Sequence, residues 1–284
     1  MDFNQPISLQ TASATFLEIN TITSAAGPAT PLSGYAVDGV TLGAANVRGY
    51  TVDEAQRDGI KGAEAFLGSR NVTLIVSAYG STIGNFWDKV DTLSGSMDPY
   101  PDAFVSDDGF RQLRFYSPTG ATTKQVYMLV RPLAIPGIGV TKNQSIGASA
   151  KGFATNTQLA FLAKDPRKIS VAESTVSISV GTTTAAYTGN YKYYPTVIVT
   201  SSGTSASYTL GGKTVSLIGL SSGTSYYIDH DKATLRIGSA TGTISQGKFN
   251  ETLTTGFGAI YSGGSLVLTG SASGGSMIYR EAWL

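Results

Sequence analysis

Apolar positions along this chain fall in short alternating runs separated by Gly, Ser, Thr and Pro, a pattern that predicts many brief strands. The run Asn71-Val72-Thr73-Leu74-Ile75-Val76-Ser77-Ala78-Tyr79 is rich in β-formers, and Gly80 closes it before Ser81, a favourable helix N-cap. Beyond Ser81 the period changes. Ile83, Phe86, Trp87, Val90, Leu93 and Met97 recur at three- and four-residue intervals, which predicts one apolar stripe along about four turns of helix, ended by Asp98-Pro99. In this reading Phe86 and Trp87 both pack into a core against a sheet. Further strands are predicted over residues 111–115 and 124–131, followed by a Pro- and Gly-rich loop over 132–139.

The second part of the chain predicts strands over residues 174–180, 196–200, 206–210, 213–217, 226–228, 234–237 and 265–269. Gly211-Gly212, between Ser-Tyr-Thr-Leu and Lys-Thr-Val-Ser-Leu, is a two-residue hairpin signal. Strands at this spacing imply an antiparallel sandwich. Charge separates the two parts: residues 1–165 hold 14 acidic and 12 basic side chains, against 5 and 8 in residues 166–284. Asp165-Pro166 follows the apolar run Leu159-Ala160-Phe161-Leu162-Ala163, where proline discourages continuation of regular structure. The expected fold is therefore mainly β, with an N-terminal β domain over 1–165 carrying one amphipathic helix and a C-terminal antiparallel β-sandwich over 166–284.

Composition narrows the function. A formal charge of +1 gives no overall field toward nucleic acid or an anionic membrane. The absence of cysteine removes disulfides, thiol chemistry and thiolate metal sites, and fits synthesis in a reducing cytosol. The opening Met1-Asp2-Phe3-Asn4-Gln5-Pro6 lacks the basic segment and apolar run of a secretory signal, and no stretch is long and apolar enough to span a bilayer, so a soluble, unprocessed chain is expected.

Candidate chemistry is sparse. The single histidine lies in Tyr226-Tyr227-Ile228-Asp229-His230-Asp231, where Asp229 and Asp231 would project to one side of a strand and hold a cation. A turn after a strand accounts for the same residues without a metal, and is preferred because no third ligand lies nearby in sequence. No Gly-x-Ser-x-Gly elbow accompanies His230. Gly211-Gly212-Lys213-Thr214 has the end of a phosphate-binding loop, but Ser207 stands where that loop needs glycine and a strand follows. Asp53/Glu54 and Asp107/Asp108 are carboxylate pairs of the kind glycosidases use, read here as solvated loops. Tyr187, Tyr191, Tyr193 and Tyr194 would suit a sugar face, although half-buried packing near a sandwich rim is the simpler account. No catalytic, cofactor-binding or metal-binding residue is assigned, and no cofactor or enzymatic activity is expected.

The order of these features resembles the distal tail proteins of long-tailed bacteriophages. The resemblance rests on the strand and helix ending in Trp-Asp-Lys-Val-Asp-Thr-Leu, the strands carrying Arg111, Arg114 and Arg131, and the segment Leu159 through Pro166. It continues in Gly189-Asn190, Tyr194-Pro195-Thr196-Val197-Ile198-Val199-Thr200, Ile228-Asp229, Leu235-Arg236-Ile237 and the closing Ile278-Tyr279-Arg280-Glu281-Ala282-Trp283-Leu284. The resemblance implies a structural virion protein at the distal end of the tail, made in the host cytoplasm. It implies a ring, usually of six subunits, with galectin-like C-terminal domains outside it. Its partners would be the tail tube protein above and the tail-tip hub and tape measure proteins below, with DNA only in transit through the channel and no membrane insertion. Two other functions compete: a carbohydrate-binding module for host cell-surface polysaccharide, and a polysaccharide-degrading tail enzyme.

Overall fold

The computed structural model describes residues 1, 5–11, 15–21, 33–48, 51–53, 60–62, 66–99, 109–119, 122–137, 141–145 and 151–284. Glu54, Asp107, Asp108 and the end of the 132–139 loop lie outside the described residues, as does the side chain of Asp53. The chain divides into two compact units, Met1–Pro166 and Arg167–Leu284. Both are built from antiparallel strands.

The first unit begins with β1 (Ser8–Gln10), β2 (Phe16–Glu18) and β3 (Gly34–Leu42). Two small ribbons follow, one pairing β4 (Val47–Arg48) with β7 (Phe66–Leu67) and one pairing β5 (Thr51–Asp53) with β6 (Ile60–Gly62). Then come β8 (Arg70–Gly80), the helix α1 (Ile83–Ser96), β9 (Arg111–Thr119), β10 (Thr122–Pro132), β11 (Thr141–Ser145) and β12 (Lys151–Ala163). The main sheet runs β2-β1-β9-β10-β12-β8-β3, with β11 on β12. Its ends are stitched by side chains: the buried Asn20, just after β2, donates to Gln5 O at 2.9 Å and accepts from Val37 N of β3 at 3.0 Å. Next to it, Thr21 Oγ1 accepts from Tyr35 N at 2.9 Å. The sheet therefore curls, because a buried amide left without partners would be costly.

Alternation along β8 puts Val72, Leu74, Val76 and Ala78 on the core face. Helix α1 packs on β8 and β12 through Phe86, Val90, Leu93 and Met97, all buried. Thr82, rather than Ser81, is its N-cap, and Thr82 Oγ1 accepts from Asn85 N at 3.2 Å. The helix sits so close to the strand that a Cβ at Gly80 would lie 2.4 Å from Phe86 N, so only glycine fits. The apolar stripe is narrower than predicted. Ile83 and Trp87 are 50% and 44% exposed, because adjacent helical residues point about 100° apart and Phe86 and Trp87 cannot both face the sheet. At the other end, the buried Arg111 of β9 donates to Ser96 O and, at 2.8 Å, to Asp98 O. It thereby places a cation on the orphan carbonyls at the helix C-terminus.

The second unit contains β13 (Lys168–Ser170), β14 (Ser174–Ile178), β15 (Gly181–Thr184), β16 (Thr196–Leu210), β17 (Lys213–Ile218), β18 (Ser225–Asp229), β19 (Thr234–Ile237), β20 (Ser265–Tyr279) and β21 (Ala282–Trp283). A short 3-10 turn spans Gln246–Lys248. The predicted strands 196–200 and 206–210 are one strand, and 265–269 is the first third of another. β16 and β20 pair along their length, with register shifts between Thr200 and Ala206. One half of the pair carries β14, β18 and β19, and the other carries β15 and β17. Ser201, 1% exposed, holds the bend: its hydroxyl accepts from Gly203 N at 3.1 Å and its backbone N donates to Thr224 O at 3.0 Å. The two halves share one buried cluster that includes Val197, Val199, Tyr208, Leu210, Val215, Leu266 and Met277. This is a sandwich made by folding a single seven-stranded sheet. The hairpin between β16 and β17 is the predicted two-residue turn, with positive φ at Gly211 (56°) and Gly212 (74°), the combination a type I′ turn demands.

Candidate functional site

His230 follows β18, but it is not an exposed turn residue. The side chain is 3% exposed, with Nδ1 2.7 Å from Gly258 O and Nε2 2.7 Å from the Tyr208 hydroxyl. A carbonyl only accepts, so Nδ1 carries the proton and Nε2 accepts from Tyr208. Phe257 meets the ring edge-on and Tyr208 stacks on it. Burial pushes the imidazole down to about 4 and the Tyr208 hydroxyl well above its ordinary value. His230 lies in the turn after β18, as the sequence suggests, but its side chain is a neutral, fully engaged core group and not a bland one.

The carboxylate beside it does form a turn. Asp229 Oδ1 accepts from Asp231 N at 3.0 Å and Lys232 N at 3.1 Å, while Lys232 Nζ lies 3.8 Å from Oδ2. Among the described residues, no group of three or more His, Cys, Asp or Glu side chains is arranged to hold a metal ion.

The four tyrosines do not form one platform. Tyr187 is buried, and its hydroxyl donates to Tyr191 O and accepts from Ala282 N at 2.9 Å, with burial raising it to about 12. Tyr193 packs on the sandwich core and bridges Ile260, and Tyr191 bridges Ala282. Tyr187, Tyr191 and Tyr193 thereby tie the 187–194 segment to β21 and to the core, while Lys192 lies over the ring of Tyr194.

A groove that sequence reasoning missed lies on the outer face of β16, β18 and β19, lined by Thr196, Tyr227, Asp229, Lys232, Thr234, Arg236 and Ala240. Alternation explains it. Tyr226, Ile228 and Leu235 are buried, which leaves their neighbours Tyr227, Asp229, Thr234 and Arg236 pointing outward. Register sets two rows across the strands: Thr196, Asp229 and Thr234 in one, and Ile198, Tyr227 and Arg236 in the next. Arg236 is braced by a 2.9 Å hydrogen bond from Nη1 to Gly242 O. Among the described residues, no hydrogen bond engages the hydroxyls of Thr196, Tyr227 or Thr234.

The fold defines a class of two-unit antiparallel β proteins with a helix-braced curled sheet and a folded-sheet sandwich. The crystal structure of the Dit protein of phage SPP1, described as a paradigm of the hub adsorption apparatus in phages that infect Gram-positive hosts, has this fold. The similarity has a TM-score of 0.64 at 13% identity, and covers 99% of this chain and 100% of that one. Chains of the phage p2 baseplate in its activated conformation align more loosely, with TM-scores of 0.44 (with Sr) and 0.43 (with Ca) at 9% and 8% identity. They cover 97–98% of this chain and 98% of those chains. No family model matches the chain, and no curated protein matches it.

Proposed function

We propose that this chain is a structural, non-enzymatic component of a phage tail tip. In this reading it forms a ring of six copies that joins the tail tube to the hub and leaves a channel for DNA. The observation that carries the reading is the fold shared with SPP1 Dit from end to end of both chains. The sequence resemblance to distal tail proteins points the same way. Ring closure requires a patch on one copy to meet a different patch on the next, and strand edges and loops of the first unit would supply such surfaces. Native mass spectrometry of the purified chain, alone and with tail partners, should detect a cyclic oligomer. A chain that stays monomeric at high concentration and is absent from assembled tails would overturn the proposal.

The resemblance to distal tail proteins supports a division of labour between the two units. The first unit forms the ring, and the second is a separate sandwich on its exterior. Residues 1–166 and 167–284 expressed apart should each fold, with oligomerisation confined to the first, as read by circular dichroism and sedimentation. Ring formation by the second piece would reverse the assignment.

A further inference from the structure

From the groove on β16, β18 and β19 we infer a saccharide-binding site in the second unit, with Tyr227 as the apolar floor and Arg236, Asp229, Thr196 and Thr234 as hydroxyl partners. Of the tyrosines around Gly189, Tyr187 is buried and engaged and Tyr193 packs on the sandwich core, so they present no shared aromatic face. The groove differs in each respect that matters. Its side chains stand on three paired strands, where residues directly opposite lie roughly 5 Å apart, a spacing on the scale of one sugar ring. The cavity of about 190 Å³ is below the roughly 300–1,000 Å³ of pockets that enclose drug-sized ligands, so it takes one sugar unit rather than a chain.

The chemistry favours a polyol over an anion or an apolar ligand. A sugar presents an apolar C–H face and a rim of hydroxyls that both donate and accept. The groove offers one aromatic ring, donors on Arg236 and Lys232, an acceptor in the Asp229 carboxylate, and three hydroxyls that no hydrogen bond within the described structure consumes. A phosphate in the same groove would approach the Asp229 carboxylate, which stands directly between Thr196 and Thr234. The partners are also held in place before any ligand arrives. Asp229 is fixed by two backbone N–H groups and Arg236 by Gly242 O, so little side-chain freedom is lost on binding.

The inference stands apart from the tail-tip reading, since a failure to form rings leaves the groove unchanged. Ligand-observed saturation-transfer NMR on the full chain tests it with free galactose, glucose and N-acetylglucosamine, and with inorganic phosphate as the competitor. At least one sugar should receive saturation, with a Kd in the millimolar range expected of a single shallow ring site, on the order of 1 mM. Arg236→Gln and Tyr227→Leu should each weaken it at least ten-fold, with Lys232→Ser as a milder third variant if either fails to fold. Tyr261→Ser, at an exposed tyrosine outside the groove, should leave it unchanged. Retention on immobilised cell-wall polysaccharide would identify a surface glycan as the source, and its absence a soluble sugar. No transfer to any sugar, equal transfer in all the variants, or full displacement by phosphate would overturn the assignment.

Discussion

Replacing His230 with alanine is expected to destabilise the second unit by roughly 3–5 kcal/mol, since it leaves a cavity between Tyr208 and Phe257 and strips a partner from the Tyr208 hydroxyl and from Gly258 O. The chain has two tryptophans, Trp87 in the first unit and Trp283 in the second, so fluorescence in a Trp87→Phe background follows the second unit alone. An unchanged urea midpoint would show that His230 is not packed as described. The same residue sets a pH dependence. In the unfolded chain its pKa is the ordinary 6.5, and in the folded chain burial holds it at about 4, so protons bind more readily to the unfolded chain. Its contribution is complete above about pH 6.5 and is lost as pH falls toward 4, the whole span amounting to roughly 3 kcal/mol. As the chain has one histidine, the part of the slope between pH 6.5 and 5 should vanish in His230→Ala.

Phe86→Ala should cost the first unit roughly 3–5 kcal/mol, the range for removing a buried aromatic ring. Its side chain is fully buried between helix and sheet and also meets Trp87 edge-on, with ring centroids 5.5 Å apart. Trp87→Ala should cost only about 1 kcal/mol, because close to half of that ring is already in water. Thermal melts of the two variants side by side give the ratio directly. Equal losses would place both residues in the core.

The helix was legible in the sequence because Phe86, Val90, Leu93 and Met97 keep one face whatever the surroundings. Periodicity could not decide between Phe86 and Trp87, which are both apolar and adjacent; the contact of Phe86 with the end of β8 at Gly80 decides it. The Gly211-Gly212 hairpin was legible for an equally local reason, a turn that needs positive φ twice. His230 was not. Its flanking aspartates look like a solvated turn, and Asp229 does form one, but the partners that bury the imidazole are Tyr208 and Gly258, distant in sequence. The break predicted between residues 200 and 206 is a bend within β16, where Ser201 supplies hydrogen bonds that composition alone reads as a loop. The groove of Tyr227 and Arg236 needs the register of three strands, which no single segment contains.

The long pairing of β16 with β20 also governs how the second unit comes into being. Thr196 faces Ile278 and Leu210 faces Leu266, so the central ladder joins two strands separated by the whole of residues 211–264, close to half of the unit. Loops of this length must close before that ladder repays the entropy, and β14 and β15 have no sheet to join until β20 is in place. The β16–β17 and β18–β19 hairpins are local and form early, while the sandwich itself is the late and slow event. On a ribosome, this unit therefore stays open until the segment carrying β20 has left the exit tunnel.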